Sequence, residues 1–328
     1  MAQFRFLISL LSLTLPPLFI SGVSSATFTL VNNCGYPVWP GIQSNAGISQ
    51  LSTTGFVLQS GQSTAVNTPS SWGGRMWGRS HCATNQSTGL FSCVTGDCGT
   101  GKVECSGSNA VPPATLAEFT LSGYGGLDFY DVSLVDGFNL PMLVVAQGGT
   151  GGNCTATGCM ADLNGVCPSQ LSVKDSQGNG VVACKSACDA FGSSEFCCSG
   201  AYATPNTCTP SSYSQLFKKW CPLSYSYAYD DKTSTFTCAA ADYVVTFCPS
   251  PTTSVKAGSQ TPVTTPDSPA IATPTSTSPS VDSTMVYEGA LDSSSASSLR
   301  HVFRSPSTAG AVAIVSALWR LMIMTHHF

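Results

Sequence analysis

The sequence predicts a mainly β protein, a sandwich of short strands that disulfide bonds hold together. Runs of β-branched and aromatic residues alternate with clusters of Gly, Pro, Asn and Ser, as is typical of sandwiches. Helical periodicity is scarce. All 16 cysteines lie between Cys34 and Cys248. An even number of cysteines in one region of an exported chain predicts a disulfide framework.

Period-two alternation and β-type composition pick out the strands. The clearest candidates are residues 27–31, 115–121, 127–135, 142–146 and 243–247. Two other segments favour short helices, residues 180–191 and residues 211–220. We therefore expect a β domain with few and short helices.

Residues 1–26 have the layout of a secretory signal peptide. Arg5 provides the positive charge, an apolar run broken by Pro16 and Pro17 follows, and small residues lead to a cleavage site after Ala26. A membrane-spanning helix is the alternative, but the run is too short and the two prolines oppose it. The domain is then expected to cover residues 27–249.

The charge and histidine content of this domain exclude several functions. Between Thr27 and Cys248 there are 8 Lys and Arg against 13 Asp and Glu, a net charge of −5. Without a basic patch, nucleic acid is not an expected partner. His81 is the only histidine, which argues against triad catalysis, and the cysteines lack repeated C-x2-C knuckles, which argues against zinc. We predict neither metal nor cofactor, so any chemistry must use carboxylates.

The composition changes after Cys248. Residues 250–298 are dominated by Ser, Thr and Pro, which predicts an extended, O-glycosylated stalk. Residues 299–328 contain an apolar tail, which follows small residues and a spacer as in a GPI-attachment signal. Arg320 leaves too few apolar residues for a membrane-spanning helix. A plain secreted tail remains the alternative.

Long motifs identify the family. Residues 89–105 (GLFSCVTGDCGTGKVEC), 112–119 (PPATLAEF), 128–141 (DFYDVSLVDGFNLP) and 196–200 (FCCSG) resemble blocks of the thaumatin-like protein family, the pathogenesis-related thaumatin and osmotin type. The Tyr225-Ser226-Tyr227 motif and the Asp230-Asp231 pair add to the match. The resemblance runs from Thr27 to Pro249.

The resemblance implies a flattened β-sandwich beside two smaller disulfide-rich lobes, with eight disulfides. Spacing alone does not fix their pairing. The pairs that the family implies are Cys34–Cys248, Cys82–Cys93, Cys98–Cys105, Cys154–Cys238, Cys159–Cys221, Cys167–Cys184, Cys188–Cys197 and Cys198–Cys208.

Similar proteins have an acidic cleft. The matching positions here are Arg75, Glu118, Asp131, Asp136 and one aspartate of the Asp230-Asp231 pair. The distance from Cys221 favours Asp230, whereas counting back from Cys238 selects Asp231. Many relatives also have an aspartate where this chain has Leu223; if that position shapes the charge at the cleft edge, the cleft here is less acidic.

Local patterns support part of this cleft. Alternation puts Phe119 on the core face and Glu118 on the opposite face. Asp131 shares a face with mostly apolar residues, so it must be paired or held in a special site. Asp136 has the opposite parity and precedes Gly137, so a turn must intervene. The alternatives without a functional site are that Glu118 is simply solvated, that Arg75 and Asp131 form a structural ion pair, and that Asp136 serves only the turn.

Two carboxylates can cleave a glycosidic bond, one as acid and one as base or nucleophile. We assign Glu118 as the acid and Asp131 as the base or nucleophile, with Arg75 holding one carboxylate ionised. Four aromatic residues are candidates either for stacking on sugar rings or for ordinary core packing: Phe129, Tyr130, Phe138 and Tyr227.

The resemblance implies a secreted, monomeric defence protein that binds β-1,3-glucan and inhibits fungi. It would act in the cell wall or on the outer face of the plasma membrane. The alternatives are a weak endo-β-1,3-glucanase, an inhibitor of secreted hydrolases and a structural wall protein. Sequons at Asn85 and Asn153 predict glycosylation, although Asn153 precedes a disulfide cysteine.

Overall fold

Two β-sheets pack face to face in a computed structural model that describes residues 25–250, except 176 and 179. The strands are β1 (Ser25–Asn32), β2 (Trp39–Ser44), β3 (Ser63–Pro69), β4 (Gly73–Thr84), β5 (Phe91–Thr95), β6 (Leu116–Thr120), β7 (Asp128–Ser133), β8 (Met142–Gln147), β9 (Thr150–Gly152), β10 (Thr157–Cys159), β11 (Ser172–Lys174), β12 (Val181–Cys184), β13 (Phe236–Ala239) and β14 (Asp242–Phe247). The helices are α1 (Ala187–Phe191), α2 (Ser212–Trp220) and α3 (Asp231–Ser234), with 3-10 turns at Tyr124–Gly126, Leu163–Val166 and Gly200–Tyr202.

The smaller of the two main sheets has the order β10-β8-β14-β1-β3, in which only the β1–β14 pair is parallel. The larger has the order β2-β4-β6-β7-β13-β9, with β5 paired to β4, and is antiparallel throughout. A separate hairpin joins β11 and β12. The predicted mainly β sandwich is confirmed.

Aromatic rings fill the space between the two main sheets. The Phe28 and Phe119 rings meet edge to face with centroids 4.6 Å apart, and Tyr243 packs against both. All three side chains are buried. Such rings bury large apolar areas, so this cluster contributes much of the sandwich's stability.

Two smaller hydrophobic clusters mark the predicted lobes. One surrounds the Cys98–Cys105 bond and contains Trp77 and Leu116. The other contains Phe138, Phe217 and the Cys159–Cys221 bond. All eight disulfides have the pairing that the family resemblance implied.

Each predicted strand run coincides with an observed strand to within two residues at either end. The helix predicted over residues 211–220 is confirmed as α2, with the Ser211 side chain capping its N-terminus. The helix predicted over residues 180–191 is wrong in its first half. Val181–Cys184 pairs with β11 as a strand, and only Ala187–Phe191 is helical, after a cap from Ser186.

Several predicted regions lie outside the described residues. These are most of the signal peptide, the stalk after Ser250 and the apolar tail. The predicted cleavage site after Ala26 falls within β1, which begins at Ser25. Within residues 25–250, no helix has the length and apolar character needed to cross a bilayer.

Candidate functional site

Three of the predicted site residues lie side by side on the outer face of the larger sheet. The strand register places Arg75 of β4 opposite Glu118 of β6, and Glu118 opposite Asp131 of β7. Directly opposite residues of antiparallel strands have Cβ atoms about 4.5–5.5 Å apart. The register therefore brings together in one row three side chains that are distant in sequence.

Alternation along the strands turns this row away from the sandwich core. Met76, Phe119 and Val132, each next in sequence to a member of the row, are buried in the main core. The side chains of Arg75 and Glu118 keep 12% and 18% of their surface exposed. The prediction that Phe119 and Glu118 face opposite sides is confirmed.

Two neighbouring rows of side chains flank the row Arg75–Glu118–Asp131 on the same face of the sheet. On one side, Trp77, Leu116 and Ser133 form a buried row, with Trp77 and Leu116 in the Cys98–Cys105 lobe. On the other side, Thr120 lies opposite Phe129, and both are partly exposed. The row Arg75–Glu118–Asp131 therefore lies between a buried row and a partly exposed one.

The two carboxylates of the row, Glu118 and Asp131, have different electrostatic environments. Arg75 Nε lies 3.6 Å from Glu118 Oε1, which stabilises the ionised form of Glu118. Asp131 Oδ2 has almost no accessible surface and no hydrogen-bond partner among the described residues. Burial raises the pKa of Asp131 well above its usual range, the Glu118 charge raises it further, and Arg75 opposes both. These effects favour the protonated form of Asp131, while the acid and base roles assigned from the sequence stay predictions.

A tight turn brings Asp136 to the same site. Gly137 N–H donates to Leu134 C=O at 2.9 Å, so the chain reverses directly after β7, as the dipeptide predicted. Gly137 has φ +89°, and a Cβ there would lie 2.7 Å from Cys184 O. Burial and the Glu118 charge raise the pKa of Asp136 to about 7, against the opposing effect of Arg75.

Asp230 and Asp231 belong to two different hydrogen-bond networks. Asp231 Oδ1 accepts a 2.9 Å hydrogen bond from the Tyr225 hydroxyl, and the Asp231 charge contributes to the raised pKa of Asp131. Asp230 instead lies 2.9 Å from Lys218 Nζ and accepts from the Ser226 amide and hydroxyl. Asp231 therefore has an electrostatic effect on Asp131, and the choice between Asp230 and Asp231 as the cleft residue stays a prediction.

We call this site, made of Arg75, Glu118, Asp131, Asp136 and Asp231, the acidic cleft. Residues 32–249 match the profile of the Thaumatin family. The chain belongs to the thaumatin family.

Three curated relatives illustrate the similarity. The thaumatin-like protein 1 of Arabidopsis thaliana is 57% identical over 239 residues, which are 71% of this chain and 90% of that protein. The thaumatin-like protein 1a of Malus domestica is 56% identical, covering 74% of this chain and 97% of that protein. A protein of Prunus avium named glucan endo-1,3-beta-glucosidase is 53% identical, covering 74% and 98%.

The aromatic candidates of this thaumatin family member fall into two groups. Tyr130 and Phe138 are buried, and the Tyr130 hydroxyl donates to Thr155 C=O, so both serve core packing and the stacking alternative is wrong for them. Phe129 and Tyr227 are partly exposed. Phe129 points to the same sheet face as Asp131, two residues further along β7.

Sequence reasoning assigned no role to Tyr225. Its hydroxyl bonds to both Asp231 and Thr235, and its ring is buried. Because Ser133 and Tyr225 form a parallel bridge, this network fixes the segment with Asp231 against the end of β7. The Tyr-Ser-Tyr motif was a signal for the family but not for this contact.

The structure contains no arranged group of three or more His, Cys, Asp or Glu side chains for a metal ion within residues 25–250. The carboxylates of the acidic cleft can accept hydrogen bonds from the hydroxyls of a neutral ligand, and Asp131 can donate one when protonated.

We expect Asp136→Asn to stabilise the protein in a pH-dependent way. The Asp136 pKa rises from 3.8 to about 7 on folding. Between these values the folded state binds more protons than the unfolded state, so stability falls as pH rises. Solvent screening at this partly exposed group limits the gain to about 1–2 kcal/mol at pH 8, with almost none at pH 4. Urea unfolding at both pH values measures this.

Asp242→Asn is the control, because that carboxylate is distant from the cleft and accepts a hydrogen bond from Thr27. A gain for Asp136→Asn that is equal at pH 4 and pH 8 would contradict the electrostatic account.

Proposed function

We propose that this protein is an extracellular defence protein that binds β-1,3-glucan in the acidic cleft and thereby acts against fungi. The observation that carries the proposal is the row Arg75–Glu118–Asp131 on the outer face of the sheet, where the Arg75 and Glu118 side chains keep part of their surface exposed. Carboxylates accept hydrogen bonds from hydroxyls, and sugar hydroxyls provide both donors and acceptors. The glucanase name of one relative supports the choice of substrate class.

Weak hydrolysis of the same glucan is the second candidate. Glu118 and Asp131 are cross-strand neighbours, and the separation of two such carboxylates decides between retention and inversion. The charges favour Asp131 as the proton donor and Glu118 as the base or nucleophile. The buried Oδ2 of Asp131 opposes turnover, because an acid must reach the leaving oxygen. We therefore rank binding above catalysis.

Co-sedimentation of the full chain with insoluble β-1,3-glucan tests both candidates. We expect Glu118→Gln to weaken binding about tenfold, because it removes the charge that organises the row. Asp131→Asn should change binding less, since the protonated acid and the amide are nearly isosteric. Release of reducing ends that both substitutions abolish would instead establish a hydrolase.

Glu104→Gln is the matched control for this test, because that carboxylate is exposed in the Cys98–Cys105 lobe. If wild-type protein stays in the supernatant at every glucan concentration, the proposed ligand is wrong. If wild type binds but Glu118→Gln binds equally well, the glucan does not occupy the acidic cleft.

We propose further that the chain is exported and held on the cell surface by a GPI anchor. The eight disulfides support an oxidising compartment. Residues 250–328, with the stalk and the attachment signal, supply the anchor in this proposal. Treatment of intact cells with phosphatidylinositol-specific phospholipase should release the protein, and retention of membrane-bound protein would contradict the anchor.

We also propose an N-glycan on Asn85. The residue is exposed at the tip of the β4–β5 hairpin, where its Oδ1 accepts bonds from the Ser87 and Thr88 amides. Asn153 is exposed as well, but it adjoins the Cys154–Cys238 bond, which competes with modification.

A further inference from the structure

A second row of side chains lies beside the row that contains Glu118 and Asp131, on the same outer face of the larger sheet. The strand register pairs Thr120 of β6 with Phe129 of β7, and Phe129 with Thr237 of β13. All three residues are partly exposed. This second row therefore crosses three neighbouring strands, as the charged row does.

The second row continues across β4 with an amide in place of a side chain. Gly73 of β4 pairs with Thr120. A Cβ at Gly73 would lie 3.1 Å from Asn45 Nδ2, so the amide of Asn45 covers this position, and Asn45 is itself exposed. None of these side chains is charged. We call the set Asn45, Thr120, Phe129 and Thr237 the neutral row.

The strands themselves join the neutral row to the acidic cleft. Thr120 is two residues from Glu118 on β6, and Phe129 is two residues from Asp131 on β7. Residues two apart on a strand point to the same face and are separated by about 6–7 Å along the strand. A ligand that lies on this face and contacts Glu118 is therefore within reach of the neutral row.

The side chains of the neutral row suit an uncharged ligand that is rich in hydroxyls. A threonine hydroxyl has one donor and two acceptor lone pairs, so it can bond a ligand in addition to a protein neighbour. The asparagine amide likewise provides donors and an acceptor. The ring of Phe129, between Thr120 and Thr237, provides an apolar surface for the C–H groups of a sugar ring. An ionic ligand would find no opposite charge in this row.

We propose that the neutral row is a second contact row of the glucan site, so that a β-1,3-glucan chain lies across the strands between the charged row and the neutral row. This inference rests on the proposed function, since it requires the glucan to occupy the acidic cleft. In this arrangement the hydroxyls of Thr120 and Thr237 position the sugar rings over the Phe129 side chain, and the absence of charge in the row favours a neutral polysaccharide.

Calorimetric titration of the full chain with a soluble β-1,3-linked hexasaccharide tests the neutral row. The double variant Thr120→Val, Thr237→Val removes both hydroxyls and keeps the branched shape, so it should bind about tenfold more weakly. The double variant Thr120→Ser, Thr237→Ser keeps the hydroxyls and should bind like wild type. A purely structural role of the two threonines would give the opposite order, because valine preserves the β-branched packing and serine does not.

Thr64→Val is the matched control, because Thr64 is exposed on β3 of the other sheet and should leave the affinity unchanged. Wild-type affinity in the valine double variant, or an equal loss in the serine double variant, would overturn the neutral row. If Glu118→Gln still weakens binding in that case, the acidic cleft keeps its proposed role. If wild type does not bind the hexasaccharide, the proposed function itself fails, and the neutral row fails with it.

Discussion

Replacing Arg79 by alanine should lower the free energy of unfolding by about 4 kcal/mol or more, among the largest single-residue effects that we expect. Arg79 is fully buried. Its guanidinium donates to the backbone carbonyls of Trp39, Pro40 and Val103, and it lies over the Phe91 ring. The variant would leave three carbonyls without their donor, and each buried orphan costs about 1–3 kcal/mol.

Arg79 also joins separate parts of the fold. Its partners belong to β2, to β5 and to the loop closed by the Cys98–Cys105 bond, while Arg79 itself lies in β4. Burial lowers the pKa of Arg79 to about 10, although Asp97 and Glu104 oppose this, so it stays charged at neutral pH. Arg79→Lys should be nearly as damaging as the alanine variant, because an ammonium cannot match the fork of the guanidinium.

Urea unfolding with the disulfides intact measures the loss. Lys219→Ala is the control, since that residue is exposed on α2 and should change stability by less than about 0.5 kcal/mol. A loss below about 1 kcal/mol for Arg79→Ala would mean that water replaces the guanidinium, and the account of orphaned carbonyls would be wrong.

The sequence predicted strand faces well and strand partners poorly. Period-two alternation placed Glu118 and Phe119 on opposite faces, because the pleat requires it. That Glu118 lies beside Asp131 depends on the β6–β7 register, which the turn at Tyr124–Gly126 and the burial of Phe119 and Tyr130 fix together. The contact with Arg75 involves another strand 43 positions earlier, so local patterns contain no information about it.

Residues outside regular strands were the least predictable. Asp231 begins α3, where alternation does not apply, and its placement depends on the buried hydroxyl of Tyr225. The strand at Val181–Cys184 was predicted as helix because its apolar spacing also fits a helix, and pairing with β11 decided the outcome. Ser186, three residues before Asp189, is a capping pattern that marks the true start of α1.

The acidic cleft works against stability, and other parts of the fold offset it. Asp131 and Asp136 have raised pKa values because burial and the Glu118 charge disfavour their ionised forms. Such an unfavourable arrangement of charges persists only where the surrounding structure holds the side chains in place. Here the fixed surroundings are the sheet beneath the row and the disulfides that close the chain around it.

The Cys34–Cys248 bond should contribute the most of these disulfides. It joins the chain across 214 positions, and the loop-entropy relation gives roughly 5 kcal/mol for a closure of that length. Replacing both cysteines by alanine should lower the free energy of unfolding by about that amount. Unfolding in urea, with the other seven bonds intact, measures it.

Cys82–Cys93 is the matched comparison, because it closes only 11 positions within the β4–β5 hairpin. The same relation predicts a loss of about 3 kcal/mol for its removal, roughly 2–3 kcal/mol less than for Cys34–Cys248. Equal losses would show that native packing around the bridges, rather than the entropy of the unfolded chain, sets their contribution. A larger loss for Cys34–Cys248 would mean that this long-range bond supplies stability that offsets the unfavourable burial of the cleft carboxylates.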